Sequence, residues 1–203
     1  MHEQNHVPAF PDAKRLEAFS DGVFAILITL LVLDVQVPDV ADASSLTLWS
    51  ALLERWPSYF AFALAFGTIL VAWVGHHLLL QNVRVVTTRL VFLNGLFLLT
   101  IAFLPFPTAL VADYLTRPAA PVAAAVYAGV NALNSLTFWL LQRAVQSEAK
   151  LAGSLEHIDT RKPQLGVLLF IASAFLAFVS PIASLLVMAA VWVWWAIPVQ
   201  PDG

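Results

Sequence analysis

The sequence predicts an all-α integral membrane protein with six transmembrane helices, organised as a single domain over residues 1–203. Three observations carry this. Hydrophobic residues make up 60% of the chain and charged residues only 11%, where a soluble domain has about 25% charged residues. The apolar residues fall in long runs bounded by Arg, Asp or Pro, and a bilayer span needs about 20 of them. Basic residues concentrate in alternate loops, as the positive-inside rule requires of a multi-pass protein.

The first span, residues 16–33, is the least regular. It has no charge from Gly22 to Leu33, but that run is too short for a full crossing, so either the helix stops short or Asp21 is drawn into the membrane edge. The second, residues 56–80, is uncharged except for the pair His76-His77. The third, residues 90–112, lies between Arg89 and Asp113. Within it "LPFPT", from Leu104 to Thr108, reads as a helix stop near the outer end, because proline lacks the donor a helix interior needs. The fourth span lies between Arg117 and Arg143. Residues 164–200 carry no charge and exceed one span. Ser180-Pro181 near their middle divides them into a hairpin of two helices. Trp192, Trp194 and Trp195 read as an interfacial belt.

With six spans and a cytoplasmic N-terminus, Lys14, Arg15, Arg84, Arg89, Arg143, Lys150, Arg161 and Lys162 face the cytoplasm and only Arg55 and Arg117 lie outside. The expected location is therefore the cell membrane, with both termini cytoplasmic. The first outer loop is acidic, with Asp34, Asp39, Asp42 and Glu54. Its segment "SSLTLWSALLERW" places Leu46, Trp49, Leu52, Leu53 and Trp56 at helical spacing, with Ser44 or Ser45 available as a cap. It reads either as an amphipathic helix on the outer face or as an extension of the second span. The N-terminal residues are polar, so no cleavable signal peptide is expected.

Little in the chain points to catalysis. Cysteine is absent, which removes thiolate chemistry and Cys-based metal sites. HExxH, GxSxG and phosphate-binding glycine loops are missing. His76 and His77 are adjacent, hence about 100° apart on a helix, and do not make an i, i+4 metal pair. His157 lies in a polar loop and reads as solvated. The expectation is a non-enzyme with no cofactor and no metal site. A net charge of −3 argues against nucleic acid as a partner. A coupled carrier would want broken helices at mid-membrane, and no pair of them is evident. A carbonyl filter of the TVGYG type is absent too.

The first helix remains. Ile26, Leu30 and Leu33 share one face, Thr29 lies beside it, and Gly22 continues the stripe one turn earlier. Spacing alone does not separate a lipid face, a packing face and a pore face.

The stretch "RLEAFSDGVFAILITLLVL" resembles the first-helix signature R-x-x-x-F-S-D of the transmembrane protein 175 family of potassium-permeable channels. "WVGHH", Trp73 to His77, is similar to that family's second-helix motif, and "LPFPT" to the end of its third helix. The signature occurs once here, as in the prokaryotic branch with one six-helix repeat. The resemblance implies a homotetramer around a central pore lined by the first helix, since rotational symmetry surrounds an axis with identical copies. It implies a hydrophobic constriction at Ile26, with Leu30 and Leu33 as further narrowings and Thr29 as a pore-lining hydroxyl. A narrow apolar ring expels water and imposes a dehydration barrier, which is lower for potassium than for sodium. The implied function is a channel for K+ and other monovalent cations, modestly selective for K+ over Na+. The resemblance also implies an interhelical polar network of Arg15, Ser20, Asp21 and His77, which answers the cost of a carboxylate at the membrane edge. The alternatives are a small proton- or cation-coupled secondary transporter using Asp21 and His77, and a membrane scaffold without transport.

Overall fold

The structure is a computed structural model that describes residues 12–40, 44–83, 85–151 and 161–196. Asp42, Arg84, His157, the polar N-terminal residues and the last residues of the uncharged C-terminal stretch lie outside the described residues.

Every described element is helical. The first helix, α1 (Ala13–Leu30), tightens into a 3-10 turn at Leu31–Asp34. A short helix follows, α2 (Ser45–Glu54), and then α3 (Trp56–Leu80). The third apolar run makes α4 (Thr88–Ala102) and α5 (Pro105–Tyr114). The rest forms α6 (Ala120–Leu151), α7 (Arg161–Leu176) and α8 (Pro181–Ala196). Four segments are long and apolar enough to cross a membrane: Ala13–Asp34, Trp56–Leu80, Thr88–Tyr114 and Ala120–Ala149. With this composition the chain is an integral membrane protein. The helices α7 and α8 separate at Ser180, as Pro181 requires, and pack against each other as a hairpin of 16 residues each.

A helix does stop at "LPFPT", and another starts there: α4 ends at Ala102, and Pro105 stands at the first position of α5. Proline is favoured there because its missing donor would be unpaired anyway and its φ already suits a helix. The new helix buries Pro107, Thr108 and Val111 and packs on α3 and α6. The fourth helix continues eight residues beyond Arg143, to Leu151, with the Arg143 guanidinium 5.0 Å over the Trp139 ring.

The segment before α3 is a separate helix, not its extension. Ser44 caps α2 by accepting from the Thr47 amide at 3.3 Å, and Arg55 stands between the two helices. None of the α2 residues is buried.

The tryptophan belt is also revised. Trp194 is exposed, but Trp192 is buried. Trp192 and Trp195 meet edge to face at 5.0 Å, and both rings contact Phe170 of α7. Such aromatic packing holds α7 to α8.

The core runs between α1, α3, α4 and α6, around Phe24, Ile69, Phe97 and Tyr127. Hydroxyls tie the helices across it: Thr68 to Tyr127 at 3.1 Å and Thr100 to Thr137 at 3.1 Å. Hydrogen bonds of this kind are a main source of helix specificity where lipid removes the hydrophobic drive between helices.

Candidate functional site

The first helix has two faces with opposite surroundings. Leu16, Ser20, Phe24, Leu27 and Leu31 recur every three or four residues and are all buried against the bundle. This stripe fixes the rotation of α1. The opposite stripe carries Ile26, Leu30 and Leu33, which are 61%, 42% and 70% exposed, and Gly22 and Thr29 are exposed with them. These apolar side chains therefore do not pack on their own subunit. The Thr29 hydroxyl donates to the Ile26 carbonyl at 2.8 Å. Its donor is consumed internally, which leaves its oxygen lone pairs as outward-facing acceptors.

The base of α1 carries two polar clusters. In the buried one, hydrogen bonds run in one direction. His76 Nε2 donates to Asn94 Oδ1 at 2.7 Å, Asn94 Nδ2 donates to Ser20 Oγ at 3.0 Å, and Ser20 Oγ donates to the Leu16 carbonyl at 2.9 Å. An amide oxygen accepts only, so His76 must carry a proton on Nε2. The imidazole lies between Phe24 and Phe97, each 5.5 Å from it. Ser20 and His76 are fully buried and Asn94 nearly so, and the chain joins α1, α3 and α4 through one amide.

The second cluster is half-buried. Asp21 Oδ1 accepts from the Trp73 indole at 2.8 Å. His77 Nδ1 lies 2.9 Å from Glu17 Oε1, close enough for an ion pair but poorly aligned for a hydrogen bond. The Gln81 amide meets His77 Nε2 at 3.0 Å, and the His77 ring stacks on Trp73 at 5.7 Å. Glu17 and Asp21 of α1 thus face Trp73 and His77 of α3, both pairs at i, i+4.

The structure divides the four residues expected in one network among three places. Ser20 belongs to the buried chain. Asp21 and His77 share the half-buried cluster but bind different partners, Trp73 and Glu17. Arg15 is exposed, and among the described residues its guanidinium has no ion-pair or hydrogen-bond partner. Sequence reasoning missed His76, Asn94 and Glu17. Asn94 could have been suspected as the lone amide in "RLVFLNGLFLLT", since an amide in an apolar helix needs partners. The sequence expects no metal site, yet ligand atoms of Glu17, Asp21 and His77 lie within 4.8 Å of one another; each already has a protein partner.

The chain is 41% identical over 178 residues to a potassium channel of Chamaesiphon minutus, covering 85% of this chain and 88% of that one. It belongs to the TMEM175 family. The family profile, described as the endosomal/lysosomal potassium channel TMEM175, matches residues 15–105, the part that holds α1, α3, α4 and both polar clusters. Within the TMEM175 family, a Streptomyces collinus potassium channel is 47% identical over 131 residues, 64% of this chain and 63% of that one. The human endosomal/lysosomal proton channel TMEM175 is 41% identical over 98 residues, 45% of this chain and 19% of that protein. The crystal structure of a lysosomal potassium-selective channel TMEM175 homolog from Chamaesiphon minutus superposes with a TM-score of 0.80 at 39% identity, covering 91% of this chain and 96% of that chain. The fold is thus that of TMEM175 channels.

Proposed function

We propose that four copies of this chain, each contributing six membrane helices, form a potassium-permeable channel whose pore is lined by α1. One observation carries the reading: α1 is anchored by one stripe, while Ile26, Thr29, Leu30 and Leu33 on the other stripe remain uncovered by their own subunit. Fourfold symmetry brings such a stripe to an axis. The potassium channels among the relatives, at up to 88% coverage of their length, support K+ as the permeant ion.

At the axis, four Ile26 side chains make an apolar ring that ions cross only by shedding water. Potassium, with its looser hydration, crosses more easily than sodium, and modest selectivity results. Thr29 adds a ring of acceptor oxygens one turn further on, where a partly dehydrated cation gains back some coordination. The polar clusters hold α1 in register with α3 and α4, so that Ile26 keeps its orientation. The coupled-carrier alternative is less favoured, because Asp21 and His77 do not bond to each other: Asp21 accepts from Trp73, and His77 lies beside Glu17.

Purified protein in liposomes tests this reading. A channel gives unitary currents and passive potassium flux larger than sodium flux. Slow, saturable flux coupled to protons would replace it with a carrier, and no flux at all would leave a scaffold.

A further inference from the structure

Away from α1, a cavity of about 560 Å³ opens between α3, α4, α6, α7 and α8. Asn82, Gln142 and Lys162 line it where α3 and α6 approach their ends and α7 begins. From Asn82 it follows α3 back to Leu70, about 18 Å toward the middle of the bundle. The deep part is apolar, with Leu70, Val74, Phe97 and Ile101 on its walls. Its volume lies in the range of small-molecule sites, roughly 300–1,000 Å³.

The lining side chains also carry polar atoms, turned away from the open space, that the protein leaves unsatisfied. Both polar atoms of the Asn134 amide, Ser135 Oγ, Gln142 Oε1, and the indole nitrogens of Trp192 and Trp195 have no hydrogen-bond partner among the described residues. Asn134 is 3% exposed, Ser135 4% and Trp192 6%. Buried polar groups without partners are costly in a membrane protein, and four of these, Asn134 Nδ2, Ser135 Oγ and the two indole nitrogens, are donors that a ligand's acceptor oxygens would satisfy. Lys162 adds one cation at the mouth. Basic sites between transmembrane helices are suited to anionic headgroups.

The seat of Trp195 is built for this wall. A Cβ on Gly166 would lie 2.6 Å from the Trp195 ring and 2.9 Å from Ser135 Oγ. Only glycine lets the indole close over α7 at this point.

We propose that this cavity binds an anionic phospholipid from the surrounding membrane. The phosphate pairs with Lys162, and ester oxygens accept from Ser135, Asn134 and the indole donors as these side chains turn toward the cavity. One acyl chain fills the apolar depth toward Leu70 and Ile101, and the other stays in the bilayer. The site is independent of which ion the chain conducts, and it touches none of the pore-stripe residues.

The test uses the full-length protein with two probes, phosphatidylglycerol and phosphatidylcholine of equal chain length. Native mass spectrometry of detergent-washed protein is expected to retain phosphatidylglycerol, one per subunit, in preference to phosphatidylcholine. Lys162→Gln should erase the preference, and Ser135→Phe should displace the lipid by filling the cavity. Retention of neither lipid by the wild type overturns the proposal. So does undiminished phosphatidylglycerol on a Ser135→Phe protein of normal heat stability. If Ser135→Phe does not fold, quenching by brominated acyl chains in vesicles decides. Stronger tryptophan quenching by brominated phosphatidylglycerol than by brominated phosphatidylcholine, with the excess lost in Lys162→Gln, supports the site. Equal quenching by the two lipids overturns it.

Discussion

Ser20 and Asp21 are neighbours in sequence and part company in the fold. On a helix they point about 100° apart, so the serine turns into the bundle toward Asn94 while the aspartate meets Trp73 at the edge of α3. Their substitutions should differ accordingly. Asn94→Ala removes the amide that serves both Ser20 and His76 and strands two buried partners, at roughly 1–3 kcal/mol for each unsatisfied group. Heat stability of the purified protein should fall clearly. Asp21→Asn keeps an oxygen for the Trp73 indole and should cost far less than Asp21→Ala, which removes the acceptor. Equal losses in the two Asp21 variants would mean that charge, not the Trp73 bond, holds the position. At this scale the sequence was only partly legible. The family signature pointed to Ser20 and Asp21, and the resemblance named His77 with them. The partner Asn94 was not legible, because a single amide has no periodicity and its contacts come from residues 18 and 74 positions away in the chain.

At the scale of the element, α1 works as a plank with one fixed face. Leu27 is 6% exposed and Ile26 61%, so substitutions at adjacent positions should separate structural from functional effects. Leu27→Asn buries an amide without partners and should lower expression and heat stability. In the proposed pore, Thr29→Val removes a hydroxyl beside the exposed stripe and should lower the potassium-to-sodium ratio with little change in stability, measured as a shift in reversal potential. In α7, Gly166→Ala forces a methyl into the Trp195 ring. Overpacking of this kind costs about 1–3 kcal/mol, and a thermal melt should register it. Proline explains which elements could be read in advance. Pro181 marked the α7–α8 boundary because four non-helical residues precede it. Pro105 marked the end of α4 but not the start of α5, because proline starts a helix as readily as it ends one, and packing on α3 and α6 shows that the chain resumes.

For the whole molecule, two proposals can be separated by independent measurements. The first is orientation. The proposed topology, with eight basic residues inside and two outside, puts α2 and the start of α4 on opposite sides of the membrane. Both Ser50 and Thr88 are exposed and the chain has no native cysteine. In intact cells, Ser50→Cys should label with an impermeant thiol reagent and Thr88→Cys only after permeabilisation. Labelling of both from one side would overturn the topology. The second is the pore itself. If Ile26 forms an apolar ring on a fourfold axis, one substitution changes the narrowest point four times over. Single-channel recording of Ile26→Asn in mixed potassium and sodium measures this directly. A wetted ring should raise unitary conductance several-fold and reduce potassium preference, because ions then keep more of their water. An Ile26→Asn protein that assembles normally, with conductance and potassium-to-sodium ratio both unchanged, would contradict the pore assignment and return the exposed stripe of α1 to the lipid.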